Sequence, residues 1–254
     1  MMNNKKIIFR KNIAKIPQFK LKHSYNSIIP LTVYQTWCTK NLPTKMRETI
    51  EFNKSQNPKF NFVLYDDNDC RDFIEKNFDK DVLEAYDALI PGAYKADLWR
   101  YCILYVNGGM YLDIKLKCVY GFKFIALTEK EYFPTDITTN EYPNDPNKGV
   151  YNAFMVSLPK NEKLLQAINK VVENVKNRYY GISPLDPTGP IMFGDLFDYN
   201  TKKNSVVRRY IGTQGNGVSL AGIIILNEYP EYRQEQEKSG KHYGQYWNEK
   251  NIYK

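Results

Sequence analysis

Residues 93–115 read AYKADLWRYCILYVNGGMYLDIK, and this stretch decides the fold. Apolar and aromatic side chains recur at three- and four-residue spacing, which predicts an amphipathic helix over Ala93–Val106. An Asn-Gly-Gly tripeptide ends this helix, because glycine suits the left-handed position that comes after a helix. A strand is predicted over Met110–Ile114. This order places Asp113 at the carboxyl end of a buried strand, where α/β sheets bind their ligands.

Upstream of this stretch, the chain alternates between strand and helix patterns. Strands are predicted over Leu31–Trp37 and Phe60–Tyr65, which are rich in β-branched and aromatic residues. Helices are predicted over Thr44–Gln56 and Cys70–Phe78, each with an opening signal in front of it. Such alternation is typical of a parallel sheet with helices packed on it, so the predicted fold class is α/β.

Downstream of Cys118 the patterns are weaker. Strands are predicted over Val150–Ser157, Val206–Ile211 and Gly217–Leu226. The aromatic tail around Lys241–Trp247 is predicted to be irregular, whereas Asn161–Lys176 has the periodicity of an amphipathic helix.

The domain organisation is predicted from composition. No repeat and no linker divides the chain, so we expect residues 29–254 to form one domain behind a basic, partly flexible leader, residues 1–28. The leader's apolar run, Ile7–Phe9, is too short for a signal peptide. No stretch reaches the roughly 18 apolar residues of a membrane span. The sequence therefore predicts a cytoplasmic protein that is not secreted, and it leaves peripheral membrane contact open.

Composition also limits the function classes. A net charge of +8 suits nucleic acid, an anionic membrane or a phosphate-bearing ligand. The basic residues are spread along the chain without a nucleic-acid-binding signature, so nucleic acid is not a predicted partner. The four cysteines have no C-x-x-C spacing, which predicts free thiols in a reducing compartment rather than a zinc site.

Two charged pairs in the opening stretch could carry chemistry. Asp97 and Arg100 lie three residues apart on one helical face, and Asp113 and Lys115 share one face of the predicted strand. A carboxylate at a strand end can hold a hard divalent cation that bridges a diphosphate and stabilises a leaving group. Each pair could instead be a solvated ion pair of small stabilising value.

These segments together resemble the sugar-binding region of one glycosyltransferase family. It includes fungal initiating α-1,6-mannosyltransferases, bacterial capsular polysaccharide transferases and, more distantly, the clostridial glucosylating toxins. Its pattern is approximately R-A-D-x-x-R-Y-x-x-L-Y-x-x-G-G-x-Y-x-D-x-D. The matching residues are Ala96, Asp97, Arg100, Tyr101, Leu104, Tyr105, Gly108, Gly109, Tyr111 and Asp113. The resemblance implies a GT-A fold, with a mixed, mostly parallel central sheet flanked by helices.

Other segments extend the resemblance over most of residues 29–247. They are IPLTVYQTW, NPKFNFVLYDD, YNAFMVSLPKNEKLL, TGPIMF and HYGQYW. The residues implied to carry the chemistry are Asp97, Arg100, Asp113 and Lys115. The residues implied to bind the donor are Gln35, Thr36, Trp37, Tyr65, Lys95, Asp97, Gly109, Tyr111, Leu112 and Trp247. The residues implied to line the acceptor cleft are Asn152, Thr188 and Gly189.

Two departures from the family pattern concern charge. Lys95 stands where the family has Arg, and Lys115 stands where it has the second Asp of D-x-D. The second departure leaves two hypotheses about the cofactor. Either Asp113, the substrate phosphates and His242 hold Mn²⁺ or Mg²⁺, or Lys115 replaces the charge of the cation.

The resemblance implies a glycosyltransferase that moves a hexosyl or N-acetylhexosaminyl group from a nucleoside-diphosphate sugar to a glycan or protein acceptor. A UDP-sugar donor is favoured, with retention of anomeric configuration, in surface glycan synthesis by a bacterium or in a large-virus infected cell. Trp247 and His242 would close over the diphosphate as a lid. The alternative is a catalytically inactive protein of the same fold that binds a sugar nucleotide or a glycan.

Overall fold

The computed structural model describes residues 18–136, 148–212 and 215–254. Within these residues, eight strands and nine α-helices are formed. The strands are β1 (Thr32–Thr36), β2 (Asn61–Tyr65), β3 (Gly109–Leu112), β4 (Leu116–Cys118), β5 (Phe154–Ser157), β6 (Val207–Gly212), β7 (Gly215–Leu220) and β8 (Ile223–Glu228). The helices are α1 (Thr44–Gln56), α2 (Asp67–Asn77), α3 (Lys80–Ala88), α4 (Gly92–Asn107), α5 (Glu162–Lys176), α6 (Pro190–Gly194), α7 (Tyr199–Lys203), α8 (Tyr232–Glu237) and α9 (Tyr243–Asn248).

The first sheet has the strand order β2-β1-β3-β5. The central strand β1 pairs in parallel with both β2 and β3, so Val33 lies beside Phe62 on one side and Met110 on the other. The edge strand β5 runs antiparallel to β3. This arrangement confirms the predicted α/β fold class, with a mixed and mostly parallel central sheet flanked by helices.

Side chains along β1 and β3 alternate between two of the clusters that form the core. Tyr34 and Tyr111 face a cluster built from the helices α2 to α5. Val33 and Met110 face the opposite way, into a second cluster that includes the other sheet. Both faces of the first sheet are therefore covered, as parallel sheets require.

The helix starts are set by local signals in the sequence. The predicted bounds of α1 are those observed. At the start of α2, the Asp66 carboxylate accepts a 3.0 Å hydrogen bond from the Asp69 amide, and the Asp69 carboxylate accepts one of 3.0 Å from the Asp66 amide. This reciprocal capping satisfies two amides and starts α2 at Asp67, three residues before the predicted Cys70.

The second sheet is antiparallel, with the strand order β4-β8-β7-β6. The prediction of one strand over Gly217–Leu226 is wrong, because the chain reverses within it between β7 and β8. Ala221 and Gly222 adopt φ angles of 49° and 80°, the left-handed values of a tight hairpin turn. The tail predicted to be irregular around Lys241–Trp247 contains helix α9.

The predicted leader is described from residue 18 onward, and residues 1–17 lie outside the described part. The Ile28 and Ile29 amides donate to the Thr128 carbonyl over 2.8 and 3.0 Å. The rings of Phe19 and Phe122 meet edge to face with centroids 5.3 Å apart. These contacts hold residues 18–29 against the segment that includes 122–128, and the domain boundary at residue 29 stays a prediction.

Candidate active site

A cavity of about 770 Å³ opens where β1 and β3 end. Thr36 and Trp37, at the end of β1, and Asp113, directly after β3, line it. The first turns of α2 and α4 and parts of residues 232–246 form the remaining walls. The carboxyl ends of parallel strands therefore meet a polar cavity, which is the position where α/β folds bind ligands.

Asp113 contacts three groups at once. Its Oδ1 accepts a 2.7 Å hydrogen bond from the Tyr111 hydroxyl and lies 3.5 Å from Nη1 of Arg100. Its Oδ2 lies 3.0 Å from Nζ of Lys115. Burial by itself would raise the pKa of Asp113, but the charges of Lys115 and Arg100 outweigh it and lower that pKa. The carboxylate is therefore held ionised between two cations.

Asp97 lies on the other side of Arg100 and is buried. Its Oδ1 is 3.6 Å from Nη2 of Arg100 and accepts a 2.9 Å hydrogen bond from Nδ2 of Asn152. Its Oδ2 accepts a 2.8 Å hydrogen bond from the Thr188 hydroxyl. Burial raises the pKa of the Asp97 carboxyl, and Arg100, Asn152 and Thr188 oppose that rise. The alternative of a solvated pair is therefore wrong for Asp97 and Arg100, which are 7% and 6% exposed.

Lys115 reaches Asp113 by a different route from the predicted one. The strand prediction over Met110–Ile114 is too long, because β3 ends at Leu112. The Leu116 amide donates to the Asp113 carbonyl over 2.9 Å, so the chain turns between the two strands. The turn, rather than the pleat of a strand, brings the Lys115 ammonium to the carboxylate.

The predicted donor-binding residues fall into two groups. Those that line the cavity are Thr36, Trp37, Lys95 and Tyr111. The others, which are not part of the lining, are Gln35, Tyr65, Asp97, Gly109, Leu112 and Trp247. Tyr65 packs on Trp99 with centroids 4.9 Å apart, and the Trp247 indole donates to the Tyr180 carbonyl over 2.7 Å. Their roles toward a donor stay predictions.

The three residues predicted for the acceptor cleft lie together around Asp97. Asn152 and Thr188 are buried and donate to its two oxygens. A Cβ on Gly189 would lie 3.3 Å from the same carboxylate, so the glycine keeps that approach open. The structure brings these three residues together at a buried position beside Asp97, and contact with an acceptor stays a prediction.

Several residues of the cavity wall were not assigned by sequence. They are Cys38, Asp67, Cys70, Tyr86, Tyr232, Arg233, Gln236, Glu237, Lys241, Tyr243, Gln245 and Tyr246, among others. Asp67 belongs to the Asp-Asp pair that opens α2, which was the available signal. Burial raises the pKa of Asp67 and lowers the pKa of Lys95. The positive charge of Lys95 opposes the rise in the pKa of Asp67. The cavity lining near the start of α4 therefore holds both an acidic and a basic side chain.

A mostly parallel sheet with a polar cavity at its strand ends, and with buried acidic and basic groups beside it, defines an α/β protein with a ligand site at the ends of its strands. Residues 43–133 match the family described as glycosyltransferase sugar-binding region containing DXD motif. An uncharacterized glycosyltransferase of Acanthamoeba polyphaga mimivirus is 30% identical over 187 residues, which cover 70% of this chain and 68% of that protein. The chain belongs to this glycosyltransferase family.

Two fungal relatives carry more specific names. Inositol phosphoceramide mannosyltransferase 2 of Schizosaccharomyces pombe is 27% identical over 172 residues, or 67% of this chain and 47% of that enzyme. Initiation-specific α-1,6-mannosyltransferase of Candida albicans is 28% identical over 102 residues, or 38% of this chain and 26% of that enzyme. The chain therefore spans half or less of the length of these fungal enzymes.

Among solved structures, the PaToxG glycosyltransferase matches 66% of this chain and 67% of its own, with a TM-score of 0.49 and 19% identity. In the described ranges, none of the helices combines the length and apolar composition needed to cross a bilayer.

The family generally uses a divalent cation, and the predicted ligands of Mn²⁺ or Mg²⁺ were Asp113 and His242. The described residues hold no group of three or more His, Cys, Asp or Glu side chains that could bind a metal. Both oxygens of Asp113 already contact Lys115, Arg100 or Tyr111. His242 lines the cavity, but its Nδ1 accepts a 3.2 Å hydrogen bond from the Gly244 amide at the start of α9. This donor set does not fit a hard cation, which prefers several oxygen ligands.

Proposed function

We propose that this glycosyltransferase binds a nucleoside-diphosphate sugar in the cavity and transfers the sugar to a glycan or protein acceptor. The observation that carries the proposal is the cavity of about 770 Å³ with Asp113, Arg100 and Lys95 in its lining. That volume lies within the range of roughly 300–1,000 Å³ usual for small-ligand sites. Basic side chains near strand ends favour a ligand that carries a diphosphate.

The protein's own residues would have distinct roles in this reaction. Thr36 and Trp37, at the end of β1, would contact the nucleoside, because an indole offers a large apolar face to a base. Arg100 orients both Asp97 and Asp113, which lie 3.6 and 3.5 Å from its two terminal nitrogens. The segment that includes His242 would cover the donor and exclude water, which limits hydrolysis of the activated sugar.

The finer features of the reaction remain our proposals. The mannosyltransferase names of the fungal relatives support transfer of a hexose. We keep a UDP-sugar as the preferred donor, retention of configuration, and a role in surface glycan synthesis. A cytoplasmic setting is supported by the four cysteines, all of which are free thiols. Mn²⁺ or Mg²⁺ is the predicted cofactor, but the groups around Asp113 disfavour binding of a hard cation.

A donor screen tests this proposal. UDP- and GDP-hexoses should raise the melting temperature of the protein, since binding stabilises by about 2.7 kcal/mol at a hundredfold excess over Kd. The donor that binds is then incubated with the protein, and release of free sugar or transfer to a glycan is measured. Binding without either product would favour the inactive sugar-nucleotide-binding alternative, and no binding by any donor would contradict the proposal.

A further inference from the structure

We propose that the Lys115 ammonium takes the place of the divalent cation at Asp113, so that the donor diphosphate binds without a metal ion. This inference rests on the proposed function, because it concerns the donor of that transfer. Lys115 stands where the family motif has its second aspartate, and its Nζ lies 3.0 Å from Oδ2 of Asp113.

The contacts around Asp113 occupy both of its oxygens. The Tyr111 hydroxyl donates to Oδ1 over 2.7 Å, and Arg100 lies 3.5 Å from the same oxygen. A cation that bound Oδ2 would have to displace Lys115 and would then lie beside its ammonium. Like charges at such short range repel strongly in a partly buried site.

The net charge of the cluster gives a second, independent reason. Asp97 and Asp113 carry two negative charges, and Arg100 and Lys115 carry two positive charges, so the four groups are neutral together. An aspartate at position 115 would make the same four positions −2, which is the charge that one divalent cation neutralises. Lys115 therefore supplies the positive charge that the D-x-D motif obtains from a metal ion.

Lys115 is also held in place. Its ammonium lies 5.8 Å from the ring centroid of Tyr151 and 5.7 Å from that of Tyr232, at distances where cation–π attraction acts. The Tyr229 amide donates to the Lys115 carbonyl over 3.1 Å. The side chain is 19% exposed, and both Asp113 and Tyr232 line the cavity. The ammonium thus sits directly behind the wall that a donor would touch.

The cavity has other cations to contact the phosphates themselves. Lys95, Arg233 and Lys241 line it together with Arg100. The acidic residues that line the cavity are Asp67, Asp113 and Glu237, and Arg233 and Lys241 also pair with Glu228 and Glu249 outside the lining. With Lys115 neutralising Asp113, that carboxylate repels an incoming diphosphate much less, before any metal is added.

The test is calorimetric binding of UDP and of GDP to the full chain in excess EDTA, repeated with excess Mn²⁺. We expect Kd values in the two conditions to agree within about twofold. Binding that disappears in EDTA and returns with Mn²⁺ would overturn the inference while leaving the proposed function intact. If neither nucleotide binds in either condition and no donor is turned over, the proposed function fails, and the inference fails with it.

Two variants and a matched control locate the effect. Lys115→Asp should lose about tenfold or more in affinity in EDTA and regain it with Mn²⁺, because the change restores D-x-D. Lys115→Met should lose affinity without rescue by Mn²⁺. Lys117→Asp, two residues along on β4, should bind like wild type, because the Lys117 ammonium lies over the Phe52 ring at 4.3 Å.

The variants are interpreted only after thermal unfolding shows that they are folded. If Lys115→Asp does not fold, the inference is decided by two other results. They are the affinity of Lys115→Met and the comparison of wild-type Kd values in EDTA and in Mn²⁺. Wild-type affinity of Lys115→Met in EDTA would overturn the role of Lys115.

Discussion

At the scale of single residues, the site depends on Arg100. Its guanidinium lies between the two aspartates, donates to the Asn152 carbonyl over 2.7 Å and to the Ala96 carbonyl over 3.0 Å, and stacks 4.4 Å from the ring centroid of Tyr111. A planar group with several fixed donors suits this position, and a point charge such as lysine would not reproduce it.

Arg100→Met should destabilise the protein strongly. The change leaves two carboxylates buried without their shared cation, which costs about 3–5 kcal/mol for a buried ion pair that loses one partner. The free energy of unfolding in urea measures the effect. Arg71→Met is the control, because Arg71 pairs with Asp87 at the surface and should lose about 1 kcal/mol or less. Equal losses in the two variants would contradict the structural role of Arg100.

Cysteine reactivity reports on the cavity at the same scale. Cys38 is exposed and lines the cavity, whereas Cys70, Cys102 and Cys118 are buried. Partial burial and the nearby Asp67 raise the pKa of the Cys38 thiol, so it should react more slowly than a free cysteine but much faster than the three buried thiols.

We expect the native protein to titrate one fast thiol with Ellman's reagent, and bound UDP or GDP to slow that reaction. Cys38→Ser should remove the fast phase. Unchanged reactivity in the presence of a nucleotide that calorimetry shows to be bound would place the nucleotide elsewhere.

The charged residues of the site were predictable as a set, and their burial was not. Asp97 receives its hydrogen bonds from Asn152 and Thr188, which are 55 and 91 residues away along the chain. Helical spacing relates Asp97 only to neighbours such as Arg100, so the sequence could not distinguish a surface pair from a buried one. The sequence predicted Lys115 and Asp113 on one face of a strand, whereas a turn after β3 brings their side chains together.

At the scale of elements, the junction between α4 and β3 positions the site. Gly108 and Gly109 have φ angles of 64° and 96°, which glycine adopts without strain. A Cβ on Gly109 would lie 2.8 Å from the Thr32 carbonyl oxygen in β1. The glycine pair thus ends the helix, and Gly109 also lets β3 approach β1.

Gly109→Ala should cost about 1–3 kcal/mol of stability, because it adds both backbone strain and a steric clash. Chemical denaturation measures the cost. Gly92→Ala, in the first turn of α4, is the matched control, since a Cβ there meets nothing within 4 Å. A Gly109→Ala protein as stable as the control would contradict the close approach of β1 and β3.

Elements with strong local signals were predicted well. The bounds of α1 are set by Pro43 in front of it and Asn57-Pro58 behind it. The hairpin of β7 and β8 was missed because residues 217–226 are apolar on both sides of Ala221-Gly222. Ala-Gly is a weak turn signal by comparison with Asn-Gly or Asp-Gly.

At the scale of the whole molecule, the cavity is completed by a distant part of the chain. Helices α8 and α9 and the segment between them face the ends of β1 and β3. The residues after α9 are anchored as well, since the Ile90 amide donates to the Ile252 carbonyl over 2.9 Å. Contacts between segments so far apart in the chain produce no periodic pattern in the sequence. Only the resemblance to a family motif therefore indicated that this segment belongs to the site.

Bound nucleotide should protect this wall from proteolysis. Trypsin cleaves after Lys238 and Lys241, which are exposed and flank Gly240 in the cavity wall. UDP or GDP should slow cleavage at both sites by ordering the segment. Cleavage after Lys203, exposed at the end of α7, is the internal control and should not change. Protection of neither site by a bound nucleotide would contradict closure of the segment over the ligand.

The three tryptophans lie in three different environments, so their intrinsic fluorescence can report on the cavity. Trp37 lines the cavity, Trp99 is fully buried, and the Trp247 indole is bound to the Tyr180 carbonyl. A base that stacks on Trp37 would quench the fluorescence of Trp37, while the fluorescence of Trp99 would stay constant. Intrinsic fluorescence can therefore follow occupancy of the cavity in real time, without a label and without turnover.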